Sequence, residues 1–187
     1  MIFRKSVSPD SAVADPVTLD LVLAQDGDAR AFDRFVRATE ADVRRFCQWL
    51  CQPGPDLDDL VQETYVRAFR GVTSFRAASS ARSWLLTIAR RVCADHVGRR
   101  VRDRRNVTVV PVAPDRIECS SGFFDLADEV QRVPVAYRDA FVLVAVMGFS
   151  YDEAGRILDC PRGTIQSRVA RARLHLATRL IDEADAV

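Results

Sequence analysis

The sequence predicts an all-α protein made of two small helical domains joined by a flexible linker. Apolar residues recur at helical spacing along most of the chain, and one long stretch, 106–122, breaks that pattern and contains two prolines. A chain of 187 residues is long enough for two small domains. We therefore predict a disordered tail (1–16), a first domain (17–105), the linker (106–122) and a second domain (123–187).

Each domain is expected to contain four helices. Asp56 has the residue type and the position of an N-cap for the third helix. The apolar, β-branched run Val107–Val112 would suit a short strand, but no partner strand is evident, so a linker is the better interpretation. The expected bounds are 17–27, 30–50, 56–70 and, after a loop at 71–80, about 81–102 in the first domain, then 123–131, 136–147, 151–158 and 162–181 in the second.

The last two helices have the pattern of a helix-turn-helix. Ser150 and Glu153 form a capping box, and Pro161 favours a turn followed by a new helix. Winding the second helix at about 100° per residue gives it one apolar and one polar face. A short helix that braces a second helix with Thr, Ser and Arg exposed is the geometry that enters a DNA major groove. The apolar face contains Ile165, Val169, Ala172 and Leu176, and the polar face contains Thr164, Ser167, Arg168 and Arg171.

Charge is unevenly distributed in a chain whose net charge is only +1. The segment 76–105 contains nine arginines and two acids, and 156–179 contains six arginines and one acid. Before both of them, the segment 56–63 contains four acids and no base. Solvated helix faces would account for either basic block alone, but two such blocks in a neutral chain favour two sites that bind nucleic acid.

The third and fourth helices of the first domain have opposite surface characters. The third leaves acidic and amide side chains outward, which suits either a solvated face or a surface that binds a protein. The fourth leaves Thr87, Arg90 and Arg91 outward, and Trp84 lies at the edge of its apolar face. Trp84 is either part of the core or a platform on which a base stacks.

Composition limits the other classes of function. The N-terminus lacks the apolar run of a signal peptide, and no segment reaches the ~18 apolar residues of a membrane span, so a cytoplasmic protein is expected. The five cysteines (Cys47, Cys51, Cys93, Cys119, Cys160) include no CxxC pair, which favours reduced thiols over a metal site. Because the chain also lacks a glycine-rich phosphate loop and an HExxH motif, neither a cofactor nor an enzymatic activity is expected.

Three segments together resemble the extracytoplasmic-function sigma factors of the sigma-70 family. They are DLDDLVQETYVRAF (56–69), FRAASSARSWLLTIARRVCADHVGRR (75–100) and SYDEAGRILDCPRGTIQSRVARAR (150–173). The resemblance extends from about Val17 to Leu180. It implies that the first domain is sigma domain two and the second is sigma domain four, joined by a linker that threads through RNA polymerase.

The resemblance also implies a role for each surface. The third helix would bind core RNA polymerase, the loop and the fourth helix would bind the melted −10 strand, and the last helix would read the −35 element. The loop has no acidic or asparagine residue, which leaves open which residue reads the −10 base. An anti-sigma factor is a further partner that the family suggests. The polymerase-binding residues would be Asp58, Asp59, Leu60, Gln62, Glu63 and Arg67; the −10 residues Ser74, Phe75, Arg76, Ser79, Ser80, Arg82, Trp84, Thr87, Arg90 and Arg91; and the −35 residues Arg162, Thr164, Ser167, Arg168 and Arg171.

Two other functions remain as alternatives. A conventional helix-turn-helix repressor or activator would explain 150–173, but it would leave the motifs at 56–69 and 75–100 without a role and would predict a dimer on a palindromic site. A redox-sensing module would use Cys47 and Cys51, which lie one turn apart on one helix face.

Overall fold

The computed structural model describes residues 15–51, 56–106 and 129–184, and helices make up nearly all of them. The all-α prediction is confirmed for this part of the chain. Asn106, the first residue of the predicted linker, lies in a helix instead. The rest of the linker (107–122) and residues 123–128 of the predicted helix 123–131 lie outside the described residues. The helices are α1 (Pro16–Gln25), α2 (Ala29–Cys51), α3 (Leu57–Gly71), α4 (Ala81–Asn106), α5 (Val135–Phe141), α6 (Tyr151–Leu158) and α7 (Arg162–Ala184). A short helical stretch at 129–132 precedes α5, and a π-helical turn, Val142–Val146, continues it.

Helix α1 begins inside the predicted tail. The Asp15 carboxylate accepts hydrogen bonds from the Val17 amide (3.4 Å) and the Thr18 hydroxyl (3.1 Å), and Pro16 occupies the first helical position. An Asp cap followed by Pro is a strong local start signal, so the tail prediction is wrong for residues 15 and 16. Residues 1–14 lie outside the described part.

Helices α1 to α4 pack around a core formed mainly by α2 and α4. The apolar residues at helical spacing in α2 form its inner face, since Phe35, Val43 and Phe46 are fully buried. The helical pattern of α3 groups Phe69 with the apolar positions Leu60 and Val61, which would place it in the core. Its side chain is nevertheless 63 % exposed and packs edge-on against the Phe32 ring, with the ring centroids 5.2 Å apart. Four positions already fill the inner face of α3, namely Leu60, Val61, Thr64 and Ala68.

Asp56 precedes α3 as predicted but does not cap it. Its backbone is helical and its side chain makes no capping hydrogen bond. The carboxylate instead faces α4, where it lies 3.6 Å from His96 Nε2 and 3.8 Å from Arg100 Nη1. The cap prediction is therefore wrong, because two cationic or hydrogen-bonding partners on another helix compete for this side chain.

The two halves of the chain pack against each other. Helix α6 contacts α4, and Asp139 of α5 pairs with Arg90 of α4. Gln131 and Arg138 donate hydrogen bonds to carbonyls at the end of α2. Buried apolar side chains of both halves form one contiguous cluster. The two domains are thus docked, and the docking surface includes part of α4, the helix that the resemblance assigns to the −10 strand.

Candidate nucleic-acid interface

The helix-turn-helix is built as its sequence predicts. The Ser150 hydroxyl accepts from the Glu153 amide (3.2 Å), and the Glu153 carboxylate accepts from the Ser150 amide (2.9 Å), which completes the capping box. Helix α6 ends at Leu158 and is followed by Asp159, whose φ of 52° turns the chain sharply. A Cβ on Gly155 would lie 2.8 Å from the Cys160 carbonyl oxygen, so this turn requires glycine at that position.

The first turns of α7 are exposed and continue a basic surface. The buried stripe is confirmed at Ile165, Val169, Ala172 and Leu176, which are at most 6 % exposed. The polar side chains differ in their exposure and in the partners that they contact. Arg162 pairs with Asp152 at 2.8 Å, and Arg171 donates to the Tyr137 hydroxyl at 3.0 Å while lying over the Tyr137 ring. The exposed predicted residues are Arg162, Ser167 and Arg171, and those that are half-buried are Thr164 and Arg168.

Two exposed residues of α7 were missed by the sequence analysis. Gln166 and Arg173 are both exposed, and at 100° per residue Gln166 lies near the edge opposite the predicted polar face. The available signal was the narrow buried stripe, which covers only about a sixth of the helix circumference at 100° per residue and leaves most of it open. An amide at this position is suited to read adenine in a major groove.

The loop before α4 is held in place by α1. The Gln25 side-chain amide donates to the carbonyls of Val72 (2.8 Å) and Phe75 (2.6 Å). The Thr18 hydroxyl accepts from the Ala81 amide at 3.0 Å, and the Ser80 hydroxyl accepts from the Ser83 amide at 3.2 Å. These bonds satisfy the amides at the start of α4 and fix the loop from within the first domain.

The structure separates the predicted −10 residues into three groups. Phe75 is only 5 % exposed and packs on the half-buried Trp84, with the ring centroids 5.4 Å apart, so Phe75 is a core residue. Ser80 caps α4. Arg82 lies 3.7 Å from the Asp42 carboxylate of α2. The exposed members are Ser74, Arg76, Arg82 and Arg91, and the half-buried ones are Ser79, Ser80, Trp84, Thr87 and Arg90.

Arg90 is occupied by the second domain. Its Nε lies 3.5 Å from the Asp139 carboxylate, which is buried, and Arg138 beside it donates to the Leu50 carbonyl at 3.1 Å. The atoms Arg90 Nε, Arg138 Nε and Asp139 Oδ1 are buried without a hydrogen-bond partner among the described residues. Burial raises the pKa of Asp139, and the attraction of Arg138 and then Arg90 offsets that effect only in part. Ion pairing at this contact is therefore incomplete and weak.

The outer face of α3 carries the predicted polymerase-binding side chains except one. Asp58, Asp59 and Gln62 are exposed, and Glu63 is half-buried. Leu60 is only 4 % exposed, so its prediction as a contact residue is corrected: it anchors α3 in the core. Arg67 bridges Glu63 (2.7 Å) and Asp95 of α4 (2.8 Å), which keeps the acidic face in a defined orientation.

An apolar groove adjoins this acidic face. It has a volume of about 900 Å³ and lies between α2 and α3. Its apolar lining includes Phe32, Val36 and the exposed Phe69, while Asp58 and Gln62 belong to its polar lining. The exposed ring and the acidic face thus form one continuous surface, and this apolar part was missed because the helical pattern placed Phe69 in the core.

Both halves of the chain match models of known protein families. The family model described as sigma-70 region 2 matches residues 35–103, and the one described as sigma-70 region 4 matches residues 123–176. The ECF RNA polymerase sigma factor SigC of Mycobacterium tuberculosis is 41 % identical over 166 residues, which cover 85 % of this chain and 88 % of SigC. The chain belongs to the extracytoplasmic-function sigma factors. It is accordingly an alternative sigma factor, which directs core RNA polymerase to specific promoters.

Further relatives agree with this membership. The ECF sigma factor SigM of M. tuberculosis is 33 % identical over 156 residues, covering 82 % of this chain and 79 % of SigM. Among solved structures, the sigma factor RpoE of Bartonella quintana, in complex with the anti-sigma factor NepR, has a TM-score of 0.68 and 30 % identity, covering 81 % of this chain and 98 % of that one. CnrH in complex with the cytosolic domain of CnrY has a TM-score of 0.72 at 24 % identity, covers 90 % of this chain and 99 % of that one, and supports the fold.

Two structural observations complete the description of this sigma factor. Over residues 15–51, 56–106 and 129–184, no helix is both long and apolar enough to cross a bilayer. Within the same ranges, no three His, Cys, Asp or Glu side chains are grouped as metal ligands.

Proposed function

We propose that three surfaces of this sigma factor divide the work of promoter recognition. The first is the outer face of α3 together with the adjoining groove, which binds core RNA polymerase. Its exposed carboxylates suit a basic partner, and Phe69 supplies an apolar anchor that is costly to leave in water. Arg67 acts by orienting Glu63 rather than by reaching the partner itself.

The second surface binds the −10 element. It consists of the loop 72–80 and the exposed side of α4, where Arg76 and Arg91 are available for phosphates and Trp84 for stacking. Extrusion of a base costs a few kcal/mol, which a protein pocket can offset. The fixed loop favours this step because its hydrogen bonds to Gln25 and Thr18 reduce the ordering that DNA binding would otherwise require.

The third surface reads the −35 element through the N-terminal turns of α7. Ser167 and Gln166 face solvent and offer hydrogen bonds to base edges. Arg171 is held by Tyr137 in a position that favours phosphate contact, and Arg162 is released for the same task if its exposed pair with Asp152 breaks.

We propose that the free chain masks the second surface and leaves the third one open. The contact between α4 and the second domain occupies Arg90, so the −10 strand requires the two domains to separate. Polymerase can supply the energy for separation if its contacts to the two domains are made only when they are apart. The buried polar atoms without partners keep this energy small.

The experiment that tests the proposed function is reconstitution with core RNA polymerase. We expect stable binding and run-off transcripts from a subset of a promoter library, whose start sites define the −35 and −10 sequences. Replacing Asp59→Arg should lower core binding at least tenfold. The matched control, Asp33→Arg, changes the same charge on an exposed site of α2 and should bind core as the wild type does. Absence of core binding by the folded wild-type chain would overturn the proposal.

An anti-sigma factor is a proposed additional partner. The RpoE structure that resembles this chain is a complex with such a protein, and the groove beside α3 offers an apolar seat with acidic neighbours. A partner on this groove would compete directly with polymerase. Co-purification from the native host should recover it, and Phe69→Ser should reduce its recovery.

The proposed mechanism consists of binding alone. The chain holds polymerase and promoter DNA in register and carries out no covalent step. We place its action in the cytoplasm, where polymerase and chromosome are found.

A further inference from the structure

Three cysteine thiols lie together between α2 and α4. Cys47 and Cys51 lie on successive turns of α2, and both interact with the Cys93 thiol of α4. The Cys51 Sγ also lies 3.9 Å from the Cys93 carbonyl oxygen. Cys47 and Cys93 are buried, at 0 % and 2 % exposure, whereas Cys51 is half-buried. None of the three takes part in the proposed DNA or polymerase surfaces.

From this arrangement we propose that Cys51 and Cys93 form a disulfide when the protein meets a peroxide, and that the bond loosens the contact between the two domains. Cys51 is the thiol that solvent reaches, so it reacts first. Cys93 is the neighbouring thiol on another helix, so it closes the bond.

The chemistry is a two-electron oxidation of two thiols by one peroxide. The Cys51 thiolate attacks a peroxide oxygen, the O–O bond breaks, and the leaving oxygen takes up a proton, which leaves a sulfenic acid on Cys51. Cys93 Sγ then attacks the Cys51 sulfur, an S–S bond forms, and the released hydroxide leaves as water with the proton of Cys93. With hydrogen peroxide, two thiols are oxidised and two waters are produced.

Local electrostatics assign the two roles. The pKa of Cys51 is lowered, first because the Cys93 thiol donates a hydrogen bond to it and also because Arg138 lies nearby. The hydrogen bonds with Cys47 and Cys51, together with burial, raise the pKa of Cys93. A half-buried thiol of lowered pKa beside a buried thiol of raised pKa is the arrangement of an attacking and a resolving cysteine.

Cys47 is a poor partner for either residue. It is fully buried, so an oxidant has no direct access to it. Residues four apart on a helix have Cβ atoms about 5–6 Å apart, whereas a disulfide requires about 3.5–4.5 Å. A Cys47–Cys51 bond would therefore unwind the end of α2.

The disulfide would act on the domain contact through the end of α2. Cys51 directly follows Trp49 and Leu50, whose carbonyls accept hydrogen bonds from Gln131 and Arg138 of the second domain. An S–S bond is about 2.05 Å long, which is shorter than a sulfur hydrogen-bond distance by about 1 Å or more. Forming the bond therefore draws the last turn of α2 toward α4 by about that amount. Buried hydrogen bonds tolerate only a few tenths of an ångström, and both docking bonds should weaken.

Peptide mapping of the full chain tests the bond itself. The protein is treated with hydrogen peroxide, quenched with N-ethylmaleimide and digested with trypsin without reduction. Cleavage after Arg45 and Arg67 leaves Cys47 and Cys51 in one peptide, and cleavage after Arg91 and Arg99 isolates Cys93 in another. We expect these two peptides to be joined, with fragmentation locating the bond at Cys51, and dithiothreitol to separate them.

Two serine variants test which cysteines form the bond, and the remaining cysteines define the alternative bonds that would contradict the proposal. Cys47→Ser should still form the bond, and Cys51→Ser should not. A bond between Cys47 and Cys51, a bond to Cys119 or Cys160, or oxidation to sulfonic acid without any disulfide would overturn the proposal. Mapping of the wild-type protein decides the question even if a variant fails to fold, and it does not depend on sigma-factor activity.

Small-angle scattering tests the effect on the domains. The oxidised wild-type chain should have a larger radius of gyration than the reduced chain, and peroxide-treated Cys51→Ser should show no such increase. A Cys51–Cys93 bond that leaves the radius unchanged would overturn the coupling to the domain contact.

Discussion

The two candidate DNA-binding helices of this sigma factor differ in how available they are. Helix α7 presents Ser167 and Arg171 to solvent, and its arginine is positioned by an aromatic ring of the same domain. Helix α4 has Arg90 engaged with Asp139 of the other domain and contacts α6 along part of its length. The comparison shows that the residues of one candidate DNA site are positioned within a single domain, whereas on our proposal the other site becomes available only when the domains separate.

The largest effect is expected from breaking the contact that covers α4. Arg138→Ala removes a buried hydrogen bond to Leu50 and takes a cation away from the buried Asp139, which should weaken docking by about 3 kcal/mol, or on the order of 100-fold. Fluorescence energy transfer between dyes on the two domains should fall. Affinity of the free chain for a −10 single strand should rise, while affinity for −35 duplex should stay constant.

The matched control for that experiment is Arg156→Ala, which removes an exposed arginine of the same domain. It should leave energy transfer unchanged. If Arg138→Ala also leaves it unchanged in a folded protein, Arg138 is not essential to docking.

A smaller effect should follow from loosening the loop before α4. Gln25→Ala removes two hydrogen bonds to loop carbonyls, each worth about 1 kcal/mol, so −10 strand binding by the holoenzyme should fall by roughly 30-fold. Binding to −35 duplex should not change, since α7 makes no use of this loop. Gln48→Ala, an exposed amide on α2, is the control, and equal losses at both elements would contradict a role confined to the loop.

Removal of a single phosphate contact should weaken, by several-fold, the binding of only the DNA element that the altered helix contacts. Arg171→Ala should weaken binding of −35 duplex and lower the salt dependence by about one counterion, with no effect on the −10 strand. Arg91→Ala should do the reverse in the holoenzyme. Titrations at several salt concentrations measure both, and an Arg91→Ala loss on −35 duplex would contradict the division between the helices.

The smallest effect is a pH dependence of docking. Because the pKa of Asp139 is raised above 3.8 in the docked chain, that state holds a proton more readily than the separated state. Docking should therefore strengthen as pH falls from neutral toward the raised pKa, and weaken as pH rises through it. Energy transfer between the domains should follow this sign, and Asp139→Asn should remove that part of the dependence. A wild-type chain that loses docking faster than Asp139→Asn on acidification would contradict it.

Local sequence signals predicted most of the fold because helices are encoded by nearby residues. The stripe of α7 and the capping box of Ser150 and Glu153 depend only on spacing of three or four residues and were confirmed. The failures involve distant partners. Asp56 turned to His96 and Arg100 on α4 rather than capping α3, and Phe69 was left outside a face that was already filled.

The candidate site was less predictable for the same reason. Periodicity placed Arg90 outward, which is correct for α4 alone, but it carries no information on Asp139, which lies 49 positions along the chain. The burial of Phe75 against Trp84 likewise depends on how the loop returns to the core. The resemblance to the family predicted which surfaces bind polymerase and DNA, and the packing determines which residues of those surfaces are exposed.

Binding of a fluorescent −10 single strand to the free chain and to the holoenzyme, at one salt concentration, tests the account most directly. The strand would carry the −10 sequence found by run-off transcription, and Arg138→Ala would be measured beside the wild type. We predict weak binding by the free wild-type chain, stronger binding by free Arg138→Ala, and tight binding by both holoenzymes. A free wild-type chain that binds the strand as tightly as its holoenzyme does would contradict the claim that docking masks α4.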